Sequence, residues 1–360
     1  MKTAVVILNW NTRDYLDRFI PGLVESVAPY DAQVIVADSA STDGSMAMMA
    51  ERYPEVRRIE LDANYGFTGG YNRALAQVEA EYYVLINSDI EVSGDWLGPL
   101  QNWMDCHPDC GACGPKLHSW YERDSFEYAG AAGGCIDTFG YPFCRGRVMG
   151  RVEKDEGQYD SPARVMWVTG ACLMVRSSLW KQLGGLDDRF FAHMEEIDFC
   201  WRAQLLGFNV QVVPSSVVYH IGGGTLPSTS PWKLELNYRN NLLMLENNLA
   251  RTYVAEGCEP AAALTQARLR IMSRMLLDSA SAAVYLVTGR FAYMKAVFKA
   301  HSAYRRLRRR QTREDLAAYR ESLAGARIQL QGRYDGSIVL ASLLKGKNIF
   351  KYIRDHENRH

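Results

Sequence analysis

Three stretches of this sequence concentrate groups able to handle charge and protons. Asn87-Ser88-Asp89 closes the apolar run 83–86 and places one certain carboxylate at a strand exit. A carboxylate there can hold a divalent cation on a diphosphate, because hard cations prefer oxygen ligands and phosphates complete the shell. The same residue type also serves ordinary turns. Glu195-Glu196-Ile197-Asp198 gathers three carboxylates at the start of a helical pattern. Acids in a first turn offset the helix dipole by roughly 0.3–1 kcal/mol each, and crowding them also raises a pKa toward that of a general base. His220 follows a strand signal and precedes Gly222-Gly223-Gly224-Thr225, glycines that let backbone approach a ligand closely. Asp38 opens the polar stretch 38–44, which reads as a turn feeding a helix or as a binding loop. The Gly-rich loop 64–70 fits neither G-x-x-x-x-G-K-[ST] nor G-x-G-x-x-G, so no phosphate cradle of those kinds is present.

The elements that must position these groups alternate regularly over the first 115 residues. The run 5–8 is continuously apolar, as expected of a parallel strand buried on both faces. Tyr15, Leu16, Phe19, Ile20, Leu23 and Val27 then form an apolar stripe at helical spacing. Strands are predicted at 34–37, 56–61 and 83–86, with helices from 45 to about 53 and from the Gly-rich loop through Ala80. Successive strand–helix units imply a mostly parallel, Rossmann-like α/β sheet with ligands at the strand carboxyl ends. Asp38, Asn64 and Asp89 all fall on that edge. From 116 to 163 the sequence turns Gly- and aromatic-rich without a period, and reads as an excursion lining a pocket. Strands follow at 165–168 and 171–175, a helix at 195–206, and strands at 210–213 and 217–219. From about Trp232 the chain reads as helical to near its end.

Composition excludes several classes. Among 360 residues, 41 Lys and Arg balance 41 Asp and Glu, so no general basic excess marks a nucleic-acid binder. Hydrophobic residues at 48% and charged residues at 23% are those of a globular protein, not a disordered one. The N-terminus reads as a strand rather than a signal peptide, and no apolar run approaches a membrane span, so a cytoplasmic protein is expected. Cys106, Cys110 and Cys113, near His107 and His118, lack the paired C-x2-C knuckles of common zinc sites and read as buried thiols.

Taken in order, VVILNWN, VADSASTDGS, ANYGFTGGYN, VLINSDIEV, VTGACLMVRSSLWKQLGGLDDRFF, HMEEIDFCWRAQLLGF and VVYHIGGG resemble the family 2 glycosyltransferases with the GT-A fold. The similarity is to bacterial enzymes of surface polysaccharide synthesis, including rhamnosyl- and galactofuranosyltransferases, and covers about residues 3–245. It implies three regions: 1–115 for the nucleotide sugar, 116–231 for the acceptor and catalysis, and 232–360 as a helical C-terminal part. It further implies an inverting, metal-dependent sugar transferase, with Mn²⁺ or Mg²⁺, a nucleotide-sugar donor such as dTDP-L-rhamnose, and a glycan or lipid-linked acceptor. Carried over, the resemblance gives Asn9, Asp38, Asn64, Gly66, Asn72, Asn87, Ser88 and Asp89 to the donor, with Asp38 at the base or ribose. Asp89 and His220 become the metal ligands, and Trp167 and Asp187 lie toward the acceptor. Asn87 stands where the family's D-x-D begins with Asp, which leaves Asp89 as the principal carboxylate. Glu196 occupies the place of the catalytic base, usually Asp, so Glu195 and Asp198 remain alternatives. The rivals are a sugar nucleotidyltransferase, which VVILNWNTRDY disfavours for want of a Gly-rich triphosphate loop, and a non-catalytic nucleotide-sugar-binding partner subunit.

The stretch 291–310 interleaves Phe291, Met294, Phe298 and Tyr304 with Lys295, Lys299, Arg305, Arg306, Arg308, Arg309 and Arg310. It reads either as a solvated basic helix face or as a peripheral contact with the anionic inner face of the cell membrane.

Overall fold

A computed structural model describes residues 1–222 and 229–357. The first half alternates as the sequence pattern requires: β1 (Thr3–Asn9), α1 (Arg13–Val27), β2 (Ala32–Ser39), α2 (Ser45–Arg52), β3 (Arg57–Leu61), α3 (Gly66–Leu75) and β4 (Tyr82–Ile86). β5 (Ile90–Val92), α4 (Leu97–Cys106) and β6 (Cys110–Ser119) follow. Then come four short strands, β7 (Gly134–Asp137), β8 (Pro142–Cys144), β9 (Arg147–Val148) and β10 (Arg151–Val152). The chain returns to the main sheet through β11 (Ala163–Arg164), β12 (Cys172–Arg176), α5 (Ser177–Leu183), α6 (Glu195–Leu205) and β13 (Asn209–His220). The C-terminal part holds α7 (Pro231–Ala255), α8 (Pro260–Val287), α9 (Phe291–Leu307), α10 (Arg313–Ser322), β14 (Arg333–Tyr334), α11 (Ile338–Lys345) and α12 (Ile349–Glu357).

The main sheet runs β11-β13-β6-β12-β4-β1-β2-β3, with β5 paired to β13. β4, β1, β2 and β3 are mutually parallel, and β12 enters antiparallel between β4 and β6. Alternation along β1 explains its unbroken apolar run. Ala4 and Val6 pack into one core with Tyr71 and Leu75, while Val5 and Ile7 pack into the other with Leu16, Ile20 and Leu23. Both faces of the strand are covered, so both residue parities must be apolar.

Several expectations need correction. α3 stops at Leu75 rather than Ala80, because Val78 is buried and its carbonyl takes the Tyr83 hydroxyl at 2.8 Å as the chain turns into β4. The run 165–168 is extended but forms no strand: Val165 N donates to Val210 O, and Met166 N to Gly134 O, so its bonds go to two different partners. The two strands expected at 210–213 and 217–219 are one, β13, which carries Pro214 through a register shift against β6. The segment 116–163 completes β6 and then builds a second sheet, β10-β9-β8-β7-β14. Its last member comes from the C-terminal part, which is therefore not wholly helical; Tyr334 joins Cys135, Phe143, Val148, Ile338 and Ile353 in a third core. Cys106, expected to be buried, is exposed at the end of α4, whereas Cys110 and Cys113 lie buried in β6, their thiols pushed up by burial, Cys110 to about 12. No helix among the described residues is long and apolar enough to cross a membrane.

Candidate active site

Sheet register brings the first two candidate groups together. β13 pairs antiparallel with β5 so that His220 stands opposite Ile90, beside Asp89. His220 Nε2 lies 3.2 Å from Asp89 Oδ1 and its Nδ1 lies 3.4 Å from Glu127 Oε2. All three side chains are buried. Burial pushes the imidazole down, but the two carboxylates more than reverse this and raise it to about 10. Burial likewise pushes Asp89 up, while the hydrogen bond and charge of His220 hold it below the ordinary carboxylate range. Asp89 is therefore not at an open strand exit but inside a charged cluster. A Cβ on Gly222, which has φ +75°, would stand 3.0 Å from Glu127 Oε1. Gly223, Gly224 and Thr225 lie outside the described residues.

This donor set suits a hard divalent cation. Adjacent ligands of an octahedral ion with bonds of 2.0–2.1 Å stand about 3 Å apart, and Asp89 Oδ1 and His220 Nε2 are 3.2 Å apart. His220 Nδ1 faces the Glu127 carboxylate, which leaves Nε2 as the ring nitrogen beside Asp89. Among the described residues no group of three or more His, Cys, Asp or Glu side chains forms a ready metal cluster. A cation on this pair would draw its remaining ligands from phosphate and water, as Mg²⁺-type sites do.

The three carboxylates at the start of α6 have unlike surroundings. Asp198 is fully buried and satisfied: Arg202 Nε donates to it at 2.7 Å, and Asn247 and Asn248 donate at 2.9 and 2.8 Å. Burial and the neighbouring Glu196 charge push Glu195 well above the usual range. Glu196 is raised to about 7 by burial, against the backbone N–H groups of Glu196, Ile197 and Gly170. Its Oε2 has no hydrogen-bond partner. Gly170 also ties this helix start to the exit of β4, because Asn87 N donates to the adjacent Ala171 carbonyl at 3.0 Å.

The loop before α6 is held in left-handed backbone at Phe191, His193 and Met194, a region costly for such side chains. Asn240 on α7 fixes it, its Nδ2 donating to the carbonyls of Phe190, Ala192 and His193 at 2.9, 2.7 and 2.7 Å. Arg239 adds a bond to Phe190 O at 2.6 Å. Sequence reasoning missed Asn240, Arg239 and Glu127, since none belongs to a motif near the groups it serves.

Other candidates sit elsewhere than expected. Asn9 is completely buried, donating to Asp38 Oδ1 (2.7 Å) and Ser45 Oγ (2.8 Å) and accepting from Thr12, so it organises the Asp38 loop from behind. Asp38 also accepts from Ser41 N at 2.9 Å. Asn64 accepts from Gly66 N at 2.9 Å, and Gly66, at φ +69°, abuts Phe191 so closely that a Cβ would stand 2.5 Å from its carbonyl oxygen. Asn72 bonds the backbone of Leu186 and the Asp188 carboxylate. Trp167 is buried against Gly134, its indole N–H donating to Cys135 O at 3.0 Å. Asp187 is paired with Arg189 and accepts from Asn247. Asn72, Asp187, Arg189, Arg251, Arg309 and Arg310 line a cavity of about 580 Å³ behind the α6 loop. Arg308 pairs with Glu246 at 2.9 Å. Of the five clustered arginines only Arg305 and Arg306 therefore lie on the outer face of α9, which ends at Leu307.

Residues 4–177 match the family model described as Glycosyl transferase family 2. The N-acetylglucosaminyl-diphospho-decaprenol L-rhamnosyltransferase of Mycobacterium tuberculosis is 29% identical over 234 residues, which cover 60% of this chain and 75% of that protein. The dTDP-rhamnosyl transferase RfbF of Shigella flexneri is 23% identical over 240 residues, covering 63% and 75%. Among solved structures, S. aureus TarS 1-349 in complex with UDP-GlcNAc aligns with a TM-score of 0.52 at 15% identity, covering 90% of this chain and 92% of that one. GalNAc-T7 with UDP, GalNAc and Mn²⁺ aligns with a TM-score of 0.53 at 15% identity, covering 68% and 48%. At these identities the shared property is the fold.

Proposed function

We propose that this chain, whose residues 4–177 match the Glycosyl transferase family 2 model, is a glycosyltransferase that carries out an inverting, metal-dependent transfer from a nucleoside-diphosphate sugar, with Glu196 as base. The observation that carries this reading is the Glu196 carboxylate, whose Oε2 has no hydrogen-bond partner, raised to about 7 and joined through Gly170 and Ala171 to the Asn87–Asp89 exit. A single in-line displacement needs such a group to take the acceptor hydroxyl proton as the oxygen attacks the anomeric carbon. Asp198, satisfied by Arg202, Asn247 and Asn248, is poorly suited to that task. Asp38, with Asn9 behind it, marks the nucleoside end of the donor, and Asn64, Gly66, Asn87 and Ser88 mark its diphosphate-sugar end. Asp89 and His220 would hold Mn²⁺ or Mg²⁺, whose chemistry is to neutralise charge on the departing diphosphate. Asn72, Trp167 and Asp187 act as positioning residues. The relatives favour dTDP-L-rhamnose as donor and a prenyl-diphosphate-linked sugar as acceptor. The match to a glycosyl transferase model favours this reading over the nucleotidyltransferase one.

The test is nucleoside diphosphate release against a panel of nucleotide sugars, with Mn²⁺, with Mg²⁺ and with chelator. Release of dTDP from dTDP-L-rhamnose, lost in chelator, with the anomeric configuration reversed in the product, is expected. Undiminished release in chelator removes the cation from the scheme, and a retained configuration removes the single displacement.

Asn240→Ala should spare the donor site and blur the base. Removing the Asn240 amide, whose Nδ2 reaches three carbonyls of a strained loop, lets the start of α6 shift, and a misplacement of about 1 Å can cost roughly 10²-fold in rate. Turnover should fall by about that factor with donor affinity nearly unchanged, as read by calorimetry beside steady-state kinetics. Equal losses in affinity and rate would point to general unfolding instead.

A further inference from the structure

Helices α8 and α9 carry a face that the transfer reaction does not use. Along α8, Leu264, Ala267, Ile271, Arg274, Asp278 and Ala282 are buried at spacings of three and four residues. The opposite side of such a helix is polar when it meets only water. Here Leu269, Met272, Leu276, Val284 and Val287 stand out at 58, 60, 71, 58 and 82% exposure. The charged residues between Leu269 and Val287 do not relieve this. Arg274 and Asp278 pair with each other in the interior at 2.7 Å, and Arg270 lies over the Phe139 ring. α9 extends the surface with exposed Phe291 and Phe298 among exposed Lys295, Lys299, Arg305 and Arg306.

Charge says what covers this face. From Pro260 to Arg313 the sole acidic residue is Asp278, which is buried and paired, whereas Lys and Arg recur throughout. A second copy of the chain packed here would set basic residues against basic residues. A nucleic acid would leave the leucines and valines without an apolar partner. A bilayer with anionic headgroups satisfies both features, taking apolar side chains below the headgroups and basic ones among them. The face also meets the site entrance. Tyr293 on α9 donates to Thr229 O at 2.7 Å, and the half-exposed Trp232 in the first turn of α7 contacts Phe191, which abuts Gly66.

We propose that the exposed α8 stripe and the basic α9 face dock the protein peripherally on an anionic lipid surface. The contact is amphipathic, and the arginines at 308–310 are not part of it. It stands independently of the donor and acceptor proposed above.

The test is co-sedimentation of the full chain with vesicles of phosphatidylglycerol mixed with phosphatidylcholine, and with phosphatidylcholine alone, neither containing any acceptor. The wild type should bind the anionic vesicles and not the neutral ones, less strongly but still measurably at high salt. Leu276→Glu with Val284→Glu should lower the partition coefficient by roughly tenfold or more, and Lys295→Gln with Lys299→Gln should lower it and flatten the salt dependence. Unchanged thermal unfolding and nucleotide-sugar binding show that the variants are folded. Absence of wild-type binding, or wild-type binding by the glutamate variant, overturns the proposal. So does light scattering that shows a dimer dissolved by the same substitutions, which would give the face to a second copy. Sugar-nucleotide turnover in solution without vesicle binding would sink the docking alone and leave the transferase reading untouched.

Discussion

Glu196→Gln is expected to bind the nucleotide sugar as the wild type does and to transfer it about 10²–10⁴-fold more slowly, the usual contribution of a positioned acid–base group. Amide and carboxylate have the same shape, so the packing of Glu196 beside Gly170 survives while its basicity is lost. The neighbours sharpen the test. Glu195 is pushed well above the usual range by burial and the adjacent Glu196 charge, which favours its uncharged form, and Glu195→Gln should be mild. Asp198→Asn removes the charge that Arg202 pairs with and should lower stability before it lowers catalysis. The pH profile supplies a second readout. A base must be deprotonated to act, and Glu196 is raised to about 7, so kcat/KM should climb through about pH 7 and level off above it. In Glu196→Gln that limb should vanish. A mild effect at Glu196 with a large one at Glu195→Gln moves the base to the neighbour.

The parallel half of the sheet was legible because each strand there is buried on both faces, and burial leaves an apolar run that no other context requires. β1, β2 and β4 were found within a residue or two for that reason. Register then did what sequence spacing cannot. Asp89 and His220 are 131 positions apart, and they meet because β13 pairs with β5 at Ile90. Where the chain builds two- to four-residue strands, between 134 and 152, no periodicity survives to be read. Glu127 was hidden just before that stretch, between β6 and β7, although it faces His220.

Residue type alone does not separate a supporting role from a ligand contact. Asn9, Asn72, Trp167 and Asp187 are polar or aromatic residues close in sequence to the chemistry, yet their polar atoms are occupied by protein partners. A buried polar side chain must be satisfied, and from sequence alone satisfaction by protein looks the same as readiness for ligand. Asn240 shows the converse. It lies in a long helix with nothing to mark it, and only the loop it clamps reveals its place.

Asp89→Asn should abolish turnover, by about 10³-fold or more, if a cation held there supplies the several kcal/mol typical of Lewis-acid stabilisation. Asparagine keeps the size of the side chain and one oxygen, but it removes the charge that faces His220 and would face the metal. Alanine is the poorer probe. Asp89 is buried 3.2 Å from the His220 imidazole, and breaking a buried pair by deleting one partner costs about 3–5 kcal/mol. An inactive Asp89→Ala protein would then be inactive because it is unfolded. For Asp89→Asn the decisive measurement is donor binding with and without Mn²⁺. The wild type should bind the nucleotide sugar more tightly with the ion, and the variant should show neither that gain nor turnover while its circular dichroism remains native. His220→Gln should reproduce the loss of metal-dependent binding, because the two side chains meet at 3.2 Å and would share one ion. If Asp89→Asn keeps both the Mn²⁺ effect and near-normal turnover, the cation is held elsewhere, and the Asp89–His220–Glu127 cluster is a structural ion pair closing the end of the sheet.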